Sequence, residues 1–209
     1  MPTGLRLEPV TQENVRAACK LELRPGQEGL VAPVAWSLAD AYTMPDIAWP
    51  RLLYDGGQLA GFIMAAFAVG HDNPLFHSYL WRLAIGAEHQ GKGYGRFAVG
   101  ELCQEARRRG HHRLTVSYHA GEHGPEDFYR RLGFHPTGEY NEGETVAERI
   151  LRASGDDEVA EEAHDPGGAV SGEHLWCMRT DLRGGLAAGW YSNSAIARDE
   201  GHDLAVCTA

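Results

Sequence analysis

The chain has 209 residues, of which 43% are hydrophobic and 23% charged, and its formal net charge is -10. That composition suits one well-buried globular domain with a short appendage. No broad basic surface exists to displace counterions from phosphates, which argues against a nucleic-acid partner, and no apolar run approaches the roughly 20 residues of a membrane span.

The acidity is unevenly spread. Residues 1–152 carry 16 Lys and Arg against 18 Asp and Glu, whereas residues 153–209 carry 3 Arg against 11 acids. The N-terminus lacks the charged and then apolar pattern of a secretion signal. Cys19, Cys103, Cys177 and Cys207 lie far apart with no C-x-x-C pair, and Cys19 and Cys103 fall on apolar helix positions. A reduced, cytoplasmic setting is the expectation.

Residues 4–10 read as a first strand. Thr11 fits an N-cap for a helix through about Leu23, because Val15, Ala18, Cys19 and Glu22 recur at helical intervals. Pro25, Gly26 and Gly29 mark a loop, and Ser37 starts a second short helix that reaches Thr43 and ends at Pro45. Apolar runs over 51–55 and 58–69 flank Gly56-Gly57, the signature of a tight hairpin. A strand over 76–85 enters the glycine-rich loop Gly91–Gly95, which opens a helix to about Arg109 with Gly110 at its C-terminal cap. The next strand covers 112–119. A helix over 125–132 follows, with Pro125 in its first turn and Gly133 at its end. Strands over 134–140 and 145–151 close the series around a turn at Asn141–Gly143.

This order predicts an α/β protein with a mixed sheet of about six to seven strands and about four flanking helices, not a regularly alternating one. Residues 1–152 form the expected domain, and 153–209 read as an acidic linker and C-terminal extension, partly disordered. Within that extension Trp176, Trp190, Tyr191 and Ile196 are the side chains suited to docking.

The informative segment is Gly86-Ala87-Glu88-His89-Gln90-Gly91-Lys92-Gly93-Tyr94-Gly95-Arg96. A strand that turns through glycines into a helix directs several backbone N–H groups at one spot, with the positive helix end behind them. A pyrophosphate is the guest such a loop suits. Gly86-x-x-x-x-Gly91-Lys92 is nearly a nucleotide-triphosphate loop, but Gly93 stands where Ser or Thr would hold magnesium. A dinucleotide fingerprint fails as well, since no third glycine follows at the required spacing.

Gln90-Gly91-Lys92-Gly93-Tyr94-Gly95 fits the pattern Gln/Arg-x-x-Gly-x-Gly, and it resembles the pyrophosphate loop of the GNAT superfamily of acetyl-CoA-dependent N-acetyltransferases. Further on, Phe128-Tyr129-Arg130-Arg131-Leu132-Gly133-Phe134 is similar to that family's Tyr-x-x-Leu-Gly-Phe helix end. Leu114–Tyr118 sits where the family has its fifth strand. Glu122 and Pro125 depart from the Asn and Ala that many relatives carry. Within the superfamily, Gly29–Pro33, Ser37–Tyr42, Gly61–Met64 and Arg82-Leu83 resemble the diamine and polyamine (spermine/spermidine) acetyltransferase branch.

The resemblance implies a GNAT fold splayed between the fourth and fifth strands, with acetyl-CoA as co-substrate and no metal. It implies that main-chain groups of Leu83, Ala84 and Ile85 hold the pantetheine arm, and that backbone N–H groups of Gln90, Gly91, Lys92, Gly93, Tyr94, Gly95 and Arg96 hold the pyrophosphate. The partners so implied are a small-molecule amine, with a polyamine or diamine first, and a second copy of the chain in a homodimer.

Tyr129 is the candidate general acid, because a phenol with a pKa of about 10 stays protonated at neutral pH yet can donate to a departing thiolate. The plainer reading is a packed aromatic. Glu28 is the leading general-base candidate, with Glu22 and Asp40 as alternatives, and each also reads as a solvated acid. Trp36, Tyr42, Trp49 and Trp81 are candidates for a cation pocket, although Trp49 reads better as core. Trp81 and Arg82 alternate along a strand, so one of them should face water. The histidines, among them the adjacent His111-His112 with His119 and His123, show no zinc spacing. A catalytically silent CoA-binding module, or acetylation of an aminoglycoside, amino acid or peptide amine, are the alternative functions.

Overall fold

Gly56 takes a positive φ of 56°, the left-handed conformation a two-residue hairpin turn needs, and it joins β2 (Ala48–Asp55) to β3 (Gln58–Ala66). The computed structural model describes residues 4–27, 32–121 and 124–151. In chain order the other elements are β1 (Leu5–Pro9), α1 (Val15–Ala18), α2 (Val34–Thr43), β4 (Tyr79–Ile85), α3 (Tyr94–Arg108), β5 (Arg113–Tyr118), α4 (Glu126–Arg131), β6 (His135–Asn141) and β7 (Glu144–Ile150). The expected extension 153–209 lies outside the described residues, as does Glu122.

The seven strands form one sheet in the order β1-β2-β3-β4-β5-β7-β6. Every neighbouring pair is antiparallel except β4 and β5, which run parallel and are registered only at Tyr79↔Thr115. Parallel neighbours need a crossover, and α3 supplies it. All seven residues of β4 are buried, as expected of a strand covered on both faces.

One face packs Ala98, Val99, Leu102, Cys103 and Ala106 of α3 on Leu53, Ile63, Leu83, Leu114 and Val116. The other packs Ala18 of α1 and Val34 of α2 with Leu52, Phe62, Met64, Phe76, Tyr79 and Trp81. A register shift pairs Met64 with Arg82 and Ala65 with Leu80, which makes Trp81 the extra residue of a β-bulge. The expectation that Trp81 or Arg82 faces water is therefore wrong: they are 0% and 1% exposed. The bulge breaks the two-residue alternation, and α2 covers the face on which Arg82 sits.

Local boundaries also differ from the sequence reading. The first helix ends at Ala18 instead of Leu23, because the chain tightens into Lys20 N→Ala17 O and Leu21 N→Ala18 O bonds. Pro25 lacks the N–H that would continue the ladder, and the Glu22 carbonyl instead accepts from Ala87 N at 3.0 Å. Cys19 is consequently exposed, while Cys103 is buried. The second helix begins at Val34, ahead of Ser37, with Pro33 as its N-cap. β4 starts at Tyr79 and not at 76, since Pro74–His77 form a 3-10 turn capped by Asn73 Oδ1, which accepts from Leu75 N at 2.9 Å. His111 and His112 precede β5; the His111 ring stacks on Phe67 at 5.3 Å.

Two predictions concern this framework. A Cβ built on Gly61 would stand 2.7 Å from the Ala84 carbonyl oxygen and 2.9 Å from Ile85 Cδ1. Gly61→Ala should cost about 1–3 kcal/mol, the usual range for overpacking, read as a lower urea midpoint at unchanged slope. Burial, then the Arg109 charge, pushes the His111 imidazole below its ordinary value of 6.5. A depressed histidine binds protons less readily folded than unfolded, so its contribution is complete above that ordinary value and is lost as pH falls below it. Urea midpoints of His111→Gln should accordingly fall less steeply between about pH 7 and 5 than those of the parent protein.

Candidate functional site

The glycines of the loop after β4 do what their sequence pattern suggests. Gly91 and Gly93 take φ values of 77° and 80°, and an added Cβ at either would point into open space. Gly93 is the N-cap of α3, its carbonyl accepting from Phe97 N at 3.1 Å. The N–H groups of the first helical turn, Tyr94 to Arg96, lack intrahelical acceptors and lie at the positive end of a 15-residue helix. They border a cavity of about 230 Å³ lined by Ile85, His89, Gln90, Gly91, Gly93, Tyr94, Gly95, Arg96, Phe128, Arg131 and Leu132. Amide donors, two arginines and apolar walls suit a ligand with both a polyanionic and an apolar part.

Two buried contacts hold the loop in place. Gln90 is 4% exposed, and its Nε2 donates to the Ile85 carbonyl at 2.9 Å and to Gln27 Oε1 at 2.8 Å. Gln27, also 4% exposed, thereby ties the chain after α1 to the loop. The Tyr94 hydroxyl donates to Asp55 Oδ2 at 2.5 Å, pinning the start of α3 to the β2–β3 hairpin. That hydrogen bond, with burial next, pushes the Tyr94 phenol above its ordinary value of 10.

Of the residues assigned to the cofactor from sequence, Ile85, Gln90, Gly91, Gly93, Tyr94, Gly95 and Arg96 line the cavity, whereas Leu83, Ala84 and Lys92 do not. Leu83 and Ala84 are interior residues of β4, paired with Ile63 and Phe62 of β3. His89, Phe128, Arg131 and Leu132 carry no loop-motif signal; the last three are brought to the cavity by α4 and the turn after it. Tyr129 is 1% exposed, beneath that wall. Its ring stacks on Tyr118 at 5.6 Å and meets Phe128 and Phe134 edge-on at 5.0 and 5.5 Å. Burial, with Glu126 second, pushes the Tyr118 phenol above 10.

The four aromatics proposed for a cation pocket do not converge. Trp49 and Trp81 belong to core clusters on opposite faces of the sheet, and Trp36 and Tyr42 are exposed on α2. The cations over the two buried rings are the protein's own: Arg51 over Trp49 at 4.4 Å and Arg82 over Trp81 at 5.3 Å. Among the base candidates, Glu28 lies outside the described residues and Glu22 is exposed. Asp40 is paired with the buried Arg82 at 3.8 Å. No sequence signal marks Glu144, a carboxylate 4% exposed at the start of β7. Its burial follows from the β5–β7 register, in which Tyr118 faces Thr145. Among the described residues no three His, Cys, Asp or Glu side chains gather as a metal site, and no helix is long and apolar enough to cross a membrane.

The fold recurs in solved structures. An acetyltransferase from Thermus thermophilus shares 24% identity at a TM-score of 0.55, covering 71% of this chain and 97% of its own. A GNAT family acetyltransferase from Elizabethkingia anophelis with acetyl-CoA bound matches at 13% identity and a TM-score of 0.51, over 71% and 99% of the two chains. The PaiA N-acetyltransferase of Thermoplasma acidophilum, in complex with coenzyme A, matches at 13% and 0.54 over the same shares. At these identities the likeness is one of fold. No curated protein matches the sequence significantly. The sequence model of the acetyltransferase (GNAT) family matches residues 21–134, more than half of the length, and the chain belongs to that family.

Proposed function

We propose that the protein is an acetyl-CoA-dependent N-acetyltransferase that acylates a primary amine of a small molecule. The observation that carries this reading is the cavity at the glycine loop, at the Ile85 end of β4, where that strand has no pairing with β5. Its donor set fits the cofactor. Open space at Gly91 and Gly93 admits a diphosphate to the α3 amides, Arg96 and Arg131 supply positive charge, and Phe128 and Leu132 supply an apolar wall.

Bound acetyl-CoA supplies an electrophilic thioester carbon and a thiolate leaving group. The chain's own part is to hold, orient and move protons. Backbone N–H groups from Gln90 through Arg96 take the diphosphate, and Leu83, Ala84 and Ile85 offer main-chain groups at the parting. Tyr129 gives its proton to the departing sulfur. Its ring is packed against Phe128, Phe134 and Tyr118, which fixes the direction of the hydroxyl.

For the acceptor, a diamine or polyamine comes first, on the resemblance of Gly29–Pro33, Ser37–Tyr42, Gly61–Met64 and Arg82-Leu83 to that branch. An aminoglycoside, an amino acid or a peptide amine is the alternative acceptor. The four widely spaced cysteines, with no C-x-x-C pair, support a reduced, cytoplasmic setting.

Thiol release from acetyl-CoA, followed with spermidine, spermine, putrescine, an aminoglycoside and an amino acid, ranks these acceptors. Tyr129→Phe should lower kcat by about 10²–10⁴-fold, the range of general acid catalysis, with the acetyl-CoA-induced rise in Tm retained. Turnover of that variant within threefold of the parent would remove Tyr129 from the chemistry. Arg131→Ala should weaken acetyl-CoA binding by about 10- to 100-fold, as expected for a lost charged hydrogen bond. Its kcat should stay unchanged, and calorimetric titration checks the affinity.

A further inference from the structure

Where β5 leaves β4, a run of polar side chains passes from the interior to the surface. Tyr79 Oη and Ser117 Oγ lie 2.8 Å apart. The Ser117 hydroxyl donates to Glu144 Oε2, and Glu144 Oε1 faces His119 Nε2 at 3.5 Å. Tyr79, Ser117 and Glu144 are 0%, 0% and 4% exposed, whereas the His119 side chain is 76% exposed. Three strands contribute: Tyr79 from β4, Ser117 from β5 and Glu144 from β7, with His119 directly after β5.

The position is as telling as the chemistry. Tyr79 belongs to the single residue pair joining β4 and β5, and Ser117 is two residues beyond its partner Thr115, at the opening. Tyr118, the next residue, turns its ring to the opposite face, where it stacks on Tyr129. The two polar sites therefore flank one strand end: the Tyr129 phenol on the α3 side, and the Glu144–His119 pair on the side of the Tyr79 cluster and at the solvent edge. By contrast Asp40, the acid on α2, is turned to Arg82.

A carboxylate this deep needs compensating partners. One oxygen is held by a serine that is itself held by a tyrosine, and the other faces an imidazole at the rim. That arrangement aims Nε2 of His119 at Glu144 and leaves Nδ1 for a proton from outside, the geometry of a carboxylate-oriented general base. We propose that His119 accepts the proton of the acceptor ammonium, and that Glu144, fixed by Ser117 and Tyr79, is its positioning residue. The inference rests on the N-acetyltransferase reading.

The step balances as follows. His119 Nδ1 takes one proton from R–NH3+ and becomes imidazolium. The freed nitrogen lone pair forms the new C–N bond, and the thioester C–S bond breaks with its electron pair leaving on sulfur. Tyr129 protonates that sulfur, and the second proton shed by the acylated nitrogen returns to the phenolate through solvent. The imidazolium then releases its proton to water, so the products are amide, thiol and one proton.

The test uses the full chain with acetyl-CoA and the best amine of the panel. His119→Ala, at an exposed position, should fold and keep the acetyl-CoA-induced rise in Tm. Its kcat should fall by about 100-fold or more at unchanged KM for acetyl-CoA, and added free imidazole should restore part of the loss. A role confined to holding the loop would give no such rescue. Glu144→Gln, similar in shape and uncharged, should lower kcat by about tenfold or more; if it does not fold, the His119→Ala result decides alone. Turnover of His119→Ala within threefold of the parent, or a loss that imidazole does not relieve, overturns the pair while leaving acetyl transfer in place. No thiol release by the parent protein with any amine overturns both readings.

Discussion

β4 and β5 are joined at one residue pair, Tyr79↔Thr115, and then separate. The rest of the molecule is arranged around that separation. β4 is anchored on its other edge by six pairs to β3, and β5 is anchored by six pairs to β7. Each strand therefore keeps its conformation without the other. An opening between two strands would ordinarily fill with water or collapse, because unpaired backbone groups in the interior are costly. Here both half-sheets are tied to shared cores, the α3 cluster on one face, which takes Leu83 of β4 and Val116 of β5 alike, and the α1–α2 cluster on the other.

The glycine loop follows from the same constraint. Parallel strands require a crossover, and α3 begins after the loop 86–93 that follows β4, with its first turn bordering the cavity. Side-chain contacts from distant segments fix that helix start. Asp55 of the first hairpin takes the Tyr94 hydroxyl, and Gln27 takes the Gln90 amide. Neither Asp55 nor Gln27 lines the cavity. Their contribution is to keep the amides converged before binding, which lowers the ordering cost of holding a polyanion.

The opening also separates two protonic environments. On the α3 face, the buried Tyr129 lies among the rings of Tyr118, Phe128 and Phe134. On the other face, Glu144 reaches the surface through His119. One strand end of β5 presents both because consecutive residues, Ser117 and Tyr118, point to opposite faces. A group that donates and a group that accepts can then serve one reaction without neutralising each other.

The glycine loop, the α3 start and the helix bearing Tyr129 were legible in the chain because each is a local event. A positive φ calls for glycine, a helix start frees amides, and a short motif spans one turn. The order of strands and helices was legible for the same reason. The first helix was overestimated by several residues, since its periodicity continues to Glu22 while Pro25 and a distant partner, Ala87, end it. The burial of both Trp81 and Arg82 was invisible, because a bulge in the β3–β4 pairing shifts the alternation. Of the tryptophans offered for a pocket, Trp49 and Trp81 are packing on opposite faces and Trp36 is exposed. Glu144 and His119 had no signal at all. The sequence by itself determined the local geometry of the glycine loop and the start of α3, as backbone conformation is set by neighbouring residues. Only the tertiary structure decided which distant side chains share the opening, because that depends on strand register and on which core each face buries.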